Sequence, residues 1–382
     1  MSSHGIIHLT RDADWSQIHE PNPDNPVEAP FYAANDRGRV AALDLLGLIL
    51  PGLPLARLAQ TTDSAVFHKT SAVAALRDLF DPEPLIDDLL WSRGLHGRQL
   101  ALAREGSYLG EDLILAPVGP AGRPRVQVSQ LAALLDRGFT AIFNGIDVRD
   151  GTSMRLSEAF ERVFGCEVNI NGYLSMRPQM SFGAHWDPQE TVILQLLGRK
   201  CWLLEEPLAL SMNRNVHGEA TSERPVWEGL LEPGAALYIP RGWGHRVRST
   251  EGLTFHFTVT VPRTNGMGVL ARSLDRTVRT PSPLVSLPSV AGDRDASRYL
   301  PSISDSEVNS SLASYRLEIA SRSTQRITEV RAALADDVEN MWVRFTSAGG
   351  WVVQGTVDRR VVVGCSGRQF SIDERYASEV AR

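Results

Sequence analysis

Cysteine is scarce in this chain: Cys166, Cys201 and Cys365 are the only three among 382 residues. Odd in number and widely spaced, they suit neither a disulfide frame nor a zinc cluster, and fit buried thiols in a reducing compartment. A long apolar run is also missing. The most apolar segment, Val40 to Leu58, is interrupted by Asp44, Pro51, Pro54 and Arg57, so a core helix and turn is expected there rather than a membrane span. No positively charged start followed by an apolar run and a cleavage site is evident, which makes a cytoplasmic location the expectation. Basic excess is absent too: 39 Lys+Arg stand against 45 Asp+Glu, a formal charge of -6. That sign disfavours nonspecific nucleic-acid binding as the main activity and is compatible with a basic protein or peptide partner.

What is present is a chain that is 43% hydrophobic and long enough for two or three domains. Residues 1 to 39, punctuated by Pro21, Pro23, Pro26 and Pro30, read as an irregular or extended leader. Helical apolar spacing follows from Val40 to Leu90, broken at Pro51-Gly52 and Asp81-Pro82, with Thr70 or Ser71 placed to cap a helix through Val73, Leu76 and Leu79. Leu156, Ala159, Phe160, Val163 and Phe164 recur at helical spacing within Met154 to Phe164. From Glu167 to Val261 the pattern changes to short strand candidates: Val168 to Leu174, Thr191 to Leu197, Cys201 to Leu204, Ala235 to Ile239 and Thr254 to Val261. Glycine and proline punctuate them, which indicates a closed or double-sheet β architecture. Thr280 to Ser304 is rich in Ser and Pro and reads as a linker; Ser311 to Ser321 and Gln325 to Met341 read as helices, and Trp351 to Val357 and Arg360 to Val363 as strands.

The chemistry concentrates in two stretches, Phe182 to Trp202 and Tyr238 to His245. Side chains two apart on a strand share a face, so His185 and Asp187 can turn toward one point while Trp186 faces away. His245, delivered after the Pro240-Arg-Gly-Trp243 turn, could complete a set of two imidazoles and one carboxylate. Such a set leaves open positions on a metal, as in non-haem Fe(II) oxygenases. A His-x-Asp triplet alone is weak evidence in a chain with nine histidines. Its neighbours strengthen it. Lys200 follows the apolar run Thr191 to Leu197 and Gly198, where a lysine entering the next strand would be buried and would need an anionic partner. A dicarboxylate would supply one. His256 and His217 read as non-ligands, the former a strand histidine near the site and the latter in a loop. Gly266-Met-Gly268-Val-Leu-Ala271 formally satisfies a dinucleotide-binding pattern, but no βαβ repeat surrounds it.

Taken together, His185-x-Asp187, Gln195-x-x-Gly198-x-Lys200-x-Trp202, Pro240-x-Gly242-Trp-x-His245 and the upstream Asn171-Gly-Tyr173 resemble the JmjC/cupin-type 2-oxoglutarate oxygenases, and most closely their ribosomal-oxygenase branch. The resemblance implies a mainly β fold with flanking helices: a double-stranded β-helix core, then a helical region and a small winged-helix-like module. The expected domains are a catalytic domain with its helical buttress over 1–265, a linker and helical, dimer-forming region over 266–324, and the terminal module over 325–382. It also implies that His185, Asp187 and His245 hold Fe(II), that Lys200 pairs with the far carboxylate of 2-oxoglutarate, and that Tyr173 and Asn171 line the same pocket. Thr258 and Thr260, on one face of their strand, look like the family's small hydroxyl positions. The implied activity is hydroxylation of a ribosomal-protein Arg or His side chain with O2, releasing succinate and CO2. Hydroxylation of a small peptide or an amino-acid-derived metabolite is its rival. Lysine demethylation ranks lower, since no aromatic cage for a methylammonium is legible. Two other classes stay open: a cupin enzyme using a metal without oxidation, and a non-catalytic binding module.

Overall fold

The computed structural model describes residues 7–10, 19, 21–60, 67–91, 99–109, 115–118, 123–178, 180, 182–207, 222, 224–250, 252–263, 268–271, 273–274, 304–305, 308–309, 311–312, 315, 351–357, 359–365 and 368–381. In chain order the elements used below are β1 (Ile7–Thr10), α1 (Ala29–Ile49), α2 (Leu55–Gln60), β2 (His68–Lys69), α3 (Ala74–Leu79), α4 (Pro82–Trp91), β3 (Leu100–Arg104), β4 (Ser107–Leu109), β5 (Leu115–Val118), β6 (Arg123–Val126), α5 (Val128–Asp136), β7 (Thr140–Phe143), α6 (Gly151–Phe164) and β8 (Asn169–Ser175). They continue with β9 (His185–Trp186), β10 (Glu190–Leu197), β11 (Lys200–Glu205), β12 (Pro225–Leu231), β13 (Ala236–Ile239), β14 (Gly244–Ser249), β15 (Thr254–Val261), β16 (Val352–Val357), β17 (Arg360–Cys365), β18 (Arg368–Asp373) and α7 (Ala377–Val380). Among the described residues no helix is long and apolar enough to cross a membrane.

Contacts divide the chain into two units, one of residues 41–263 and one of residues 1–40 with 264–382. The first contains an eight-stranded sheet, β2-β13-β10-β15-β8-β7-β3-β4, and a four-stranded sheet, β12-β11-β14-β9. Their pairings are antiparallel throughout. This is the double-stranded β-helix expected of the strand-rich stretch. β10 shows why its sequence is apolar without alternation. Val192 and Leu194 belong to the cluster that includes the helices, with Leu46, Leu76, Phe80, Leu156 and Phe160. Ile193, on the opposite face, packs with Trp202, Leu204, Leu237 and Trp243 between the sheets. A strand buried on both faces has no polar side to display.

The helices follow local rules. α4 begins with Pro82 at a position whose N–H would have no intrahelical partner. α6 is capped by Asp150, which accepts from the Ser153 N–H, and ends on Gly165 at φ 65°, a left-handed conformation suited to glycine. Its buried Leu156, Ala159, Phe160 and Val163 are the residues whose spacing predicted it. Against the sheet, Phe80 and Phe257 meet edge to face at 5.1 Å; each such buried ring contributes roughly 2–3 kcal/mol by its area.

Two expectations are corrected. α3 has no side-chain cap; Thr70 instead accepts from the Ala236 N–H at 2.9 Å, because a residue beside an unfinished sheet edge is drawn into that ladder. The leader is also structured in part. β1 pairs with β18, and α1 starts at Ala29, with Pro30 in its first turn where a missing N–H costs nothing. This gives the second unit a four-stranded sheet, β1-β18-β17-β16, with Phe31 of α1 edge-on to Trp351 at 5.1 Å. Residues 1–40 therefore group with the C-terminal segment, whereas 1–265 had been expected as one domain. The strands of 351–373 agree with the two predicted there and add β18. The helix expected at Gln325 to Met341 lies outside the described residues, as do His217 and all of the linker Thr280 to Ser304 but its last residue.

Candidate functional site

Strand pairing brings the first two chemical groups together. β9 and β14 lie antiparallel with His185 directly opposite His245, and their rings are 4.3 Å apart. Between β13 and β14 the chain reverses through Pro240 to Trp243, where the Trp243 N–H bonds to the Pro240 carbonyl at 3.3 Å and Gly242 takes φ 78°. A turn with positive φ at its third residue favours glycine. The Gly242 N–H also donates to the Asp187 carbonyl at 2.8 Å, pinning the end of β9 to that turn. The Asp187 carboxylate lies 3.7 Å from His245 Nε2.

Each histidine is oriented by its other nitrogen. His185 Nδ1 lies 3.0 Å from the Gly183 carbonyl and His245 Nδ1 lies 3.2 Å from that of Trp243. A carbonyl only accepts, so both rings place a proton on Nδ1, which leaves Nε2 as the ring atom that could face a metal. One donor atom from each of His185, Asp187 and His245 falls within 4.8 Å of the others. Two imidazoles, held by backbone acceptors, and a carboxylate suit a divalent first-row metal ion.

The far end of the same cavity is built around Lys200. Its side chain enters from β11 and is 2% exposed, donating to the Tyr173 carbonyl at 3.2 Å, to Ser175 Oγ at 3.2 Å and to His256 Nδ1 at 2.8 Å. Burial pulls the lysine down to about 7. It also pulls His256 well below its ordinary range, with the charge of Lys200 adding to the effect. His256 stacks on Tyr173 with centroids 4.8 Å apart and planes at 5°. The Tyr173 hydroxyl is raised by burial and then by the charge of Asp187, while its hydrogen bond to Asn171 opposes the shift.

The cavity has a volume of about 820 Å³ and is lined by all eight residues singled out in the sequence: Asn171, Tyr173, His185, Asp187, Lys200, His245, Thr258 and Thr260. Register explains the gathering, since His256 pairs with Tyr173 and Thr258 with Asn171 across β15 and β8, and one face of each strand looks inward. Asn171 has a second duty, accepting from the Gly145 N–H at 3.0 Å. His256, read from sequence as a strand histidine near the site, is in direct contact with Lys200; its alternation with Thr258 and Thr260 was the available signal. Ser175 was missed. At the mouth stand Tyr108 of the β3–β4 hairpin and Phe182, 5.7 Å apart, brought close by a hairpin whose strands were not legible in advance.

A double-stranded β-helix thus carries two histidines and a carboxylate that could hold a metal ion at one end of a cavity, and a buried lysine at the other. Residues 143–267 match the family model described as JmjC domain. Among curated relatives, the bifunctional lysine-specific demethylase and histidyl-hydroxylase NO66 of Caenorhabditis briggsae is 35% identical over 116 residues, covering 28% of this chain and 15% of the relative. Ribosomal oxygenase 2 of Rattus norvegicus is 35% identical over 117 residues, 30% of this chain and 25% of the relative. The chain thus spans a quarter or less of these relatives. The solved structure of YcfD, a ribosomal oxygenase from Escherichia coli in complex with cobalt and 2-oxoglutarate, covers 83% of this chain and 85% of its own at 14% identity, with a TM-score of 0.43.

Proposed function

We propose that the chain is an Fe(II)- and 2-oxoglutarate-dependent oxygenase that hydroxylates a protein side chain, with an Arg or His of a ribosomal protein as the substrate. One observation carries the reading: three converging metal-ligand atoms share a single cavity with a buried ammonium. His185, Asp187 and His245 would hold the iron through Nε2, a carboxylate oxygen and Nε2. Lys200 would pair with the far carboxylate of the acid, giving the buried ammonium a counter-charge. Tyr173, Asn171, Thr258 and Thr260 would shape the walls between these ends. When bound, iron supplies the redox chemistry by which O2 converts 2-oxoglutarate to succinate and CO2 and places the second oxygen atom in a substrate C–H bond.

The protein's own contribution is positioning and exclusion of water. Trp202, 3% exposed, lies 6.1 Å from His245 and 5.6 Å from His256, and so packs between the two ends of the site. Tyr108 and Phe182 form an aromatic rim beside His185, to which Phe182 is edge-on at 5.6 Å. The side chain to be modified would enter past this rim. The names ribosomal oxygenase and histidyl-hydroxylase among the relatives support the ribosomal-protein reading. Mass spectrometry of ribosomal proteins from cells with and without the protein tests it: one added oxygen atom on an Arg or His should disappear on deletion. An unchanged ribosomal proteome, with succinate formation intact on a small peptide or metabolite, would move the substrate to that class.

A further inference from the structure

Lys200 has all its protons engaged before an acid enters. An ammonium carries three, and three acceptors meet them: the Tyr173 carbonyl, Ser175 Oγ and His256 Nδ1. A carboxylate reaching this nitrogen must therefore take the place of one acceptor or share its proton. The three differ in how readily they yield. The Tyr173 carbonyl belongs to a strand in the middle of the sheet. His256 is clamped between Tyr173, stacked at 4.8 Å, and Trp202, edge-on at 5.6 Å. Ser175 alone has a rotatable hydroxyl with another partner at hand, Thr140 Oγ1 at 2.9 Å.

On the oxygenase reading above, we propose that His256 is a positioning residue for the co-substrate: its neutral Nδ1 holds the Lys200 ammonium aimed into the cavity while Ser175 turns to Thr140 and yields its place to the far carboxylate. The ring keeps its one proton on Nε2 in this arrangement. Its environment favours that neutral form, because burial and the adjacent ammonium both oppose a second proton. Other titratable groups around the cavity are Glu105 in the β3–β4 turn, Tyr108 on β4, Tyr173 on β8, His185 and Asp187 at β9 and His245 on β14. β7 and β10 present Ile142, Thr191 and Ile193, none of which titrates.

The test is calorimetric titration of 2-oxoglutarate into Mn(II)-loaded wild type and the variants His256→Asn, His256→Phe and Lys200→Met, with Mn(II) affinity measured separately. Asn sets an amide oxygen near the place of Nδ1; Phe keeps the stacked ring and removes the acceptor. Loss of a hydrogen bond to a charged group should weaken acid binding in His256→Phe about tenfold or more, with Mn(II) affinity unchanged. His256→Asn should recover most of the loss. The pH at which acid affinity begins to fall should move lower in His256→Phe, since the ammonium has lost an acceptor. If His256→Phe does not fold, His256→Gln, whose acceptor sits one bond too far out, replaces it with the same expected loss. Equal acid affinity in His256→Phe and wild type, equal weakening by Asn and Phe, or an unmoved pH limit would overturn the proposal. Should Lys200→Met bind acid like wild type, the oxygenase reading of the pocket itself fails; should it lose binding while His256→Phe does not, only the role of His256 falls.

Discussion

Replacing Lys200 by methionine sets stability against function in one substitution. Burial takes this lysine from its ordinary 10.5 to about 7, which corresponds to roughly 5 kcal/mol of destabilisation of the ammonium inside the fold. Methionine fills similar space without charge, but it withdraws the donor from His256 Nδ1, and an unsatisfied buried acceptor costs about 1–3 kcal/mol. Ser175 keeps Thr140 as a partner. The balance is a net stabilisation of roughly 2 kcal/mol, in line with what replacing buried charges by apolar groups achieves elsewhere. For a unit of this size that is a rise in Tm of roughly 5 °C. The sign of the pH dependence follows from linkage. Between about pH 7 and 10.5 the unfolded chain binds the lysine proton and the folded chain does not, so wild-type stability gains on the variant as pH rises. Thermal melts of both proteins from pH 7 to 10 should show the variant ahead at pH 7 and the gap closing toward pH 10, while 2-oxoglutarate binding is lost. A variant that melts below wild type with a pH-independent gap would refute the reasoning, because the lysine would then be a stabilising element rather than a charge kept for its ligand.

Alanine at His185 or at Asp187 should abolish Mn(II) binding and iron-dependent succinate formation while far-ultraviolet circular dichroism stays that of wild type, as both residues are only partly buried; retained turnover in both would remove them from the mechanism. Gly198→Ala should lower the urea-unfolding free energy by about 1–3 kcal/mol, since Gly198 has φ 61° and a Cβ there would clash with the Leu253 carbonyl oxygen. Tyr108→Ala should leave Tm nearly unchanged, the side chain being 64% exposed, and raise KM for the protein substrate; an unaltered KM would take the rim out of substrate recognition. Cys166, whose thiol burial raises to about 12, should resist iodoacetamide at pH 8.5 in the folded protein and react on unfolding. Rapid labelling of the native state would contradict its burial.

How much of this was readable in advance depends on whether a feature is local. The alternation that pairs His185 with Asp187 is a property of any strand, and the Pro-x-Gly turn before His245 needs glycine at one dihedral angle; both were legible from residue types alone. So were the helix through Leu156 and Phe160 and the doubly buried β10. The leader was misread because prolines there mark the start of a helix rather than its absence, and because β1 finds its partner only in β18, more than 350 residues away. Pro225–Leu231 was likewise not recognised as a strand: its outward face is exposed at Val226 and Glu228, and Gly229 weakens the pattern.

By itself the sequence singled out the candidate site residues and how they alternate along their strands, since side-chain period and turn stereochemistry are short-range properties of the backbone. Only the tertiary structure decided that Lys200 meets His256 and Ser175, that Trp202 packs between the two ends of the cavity, and that Tyr108 stands at its mouth. Those contacts join strands whose register is set by packing across the sheets, and register between distant segments leaves no mark in either segment alone.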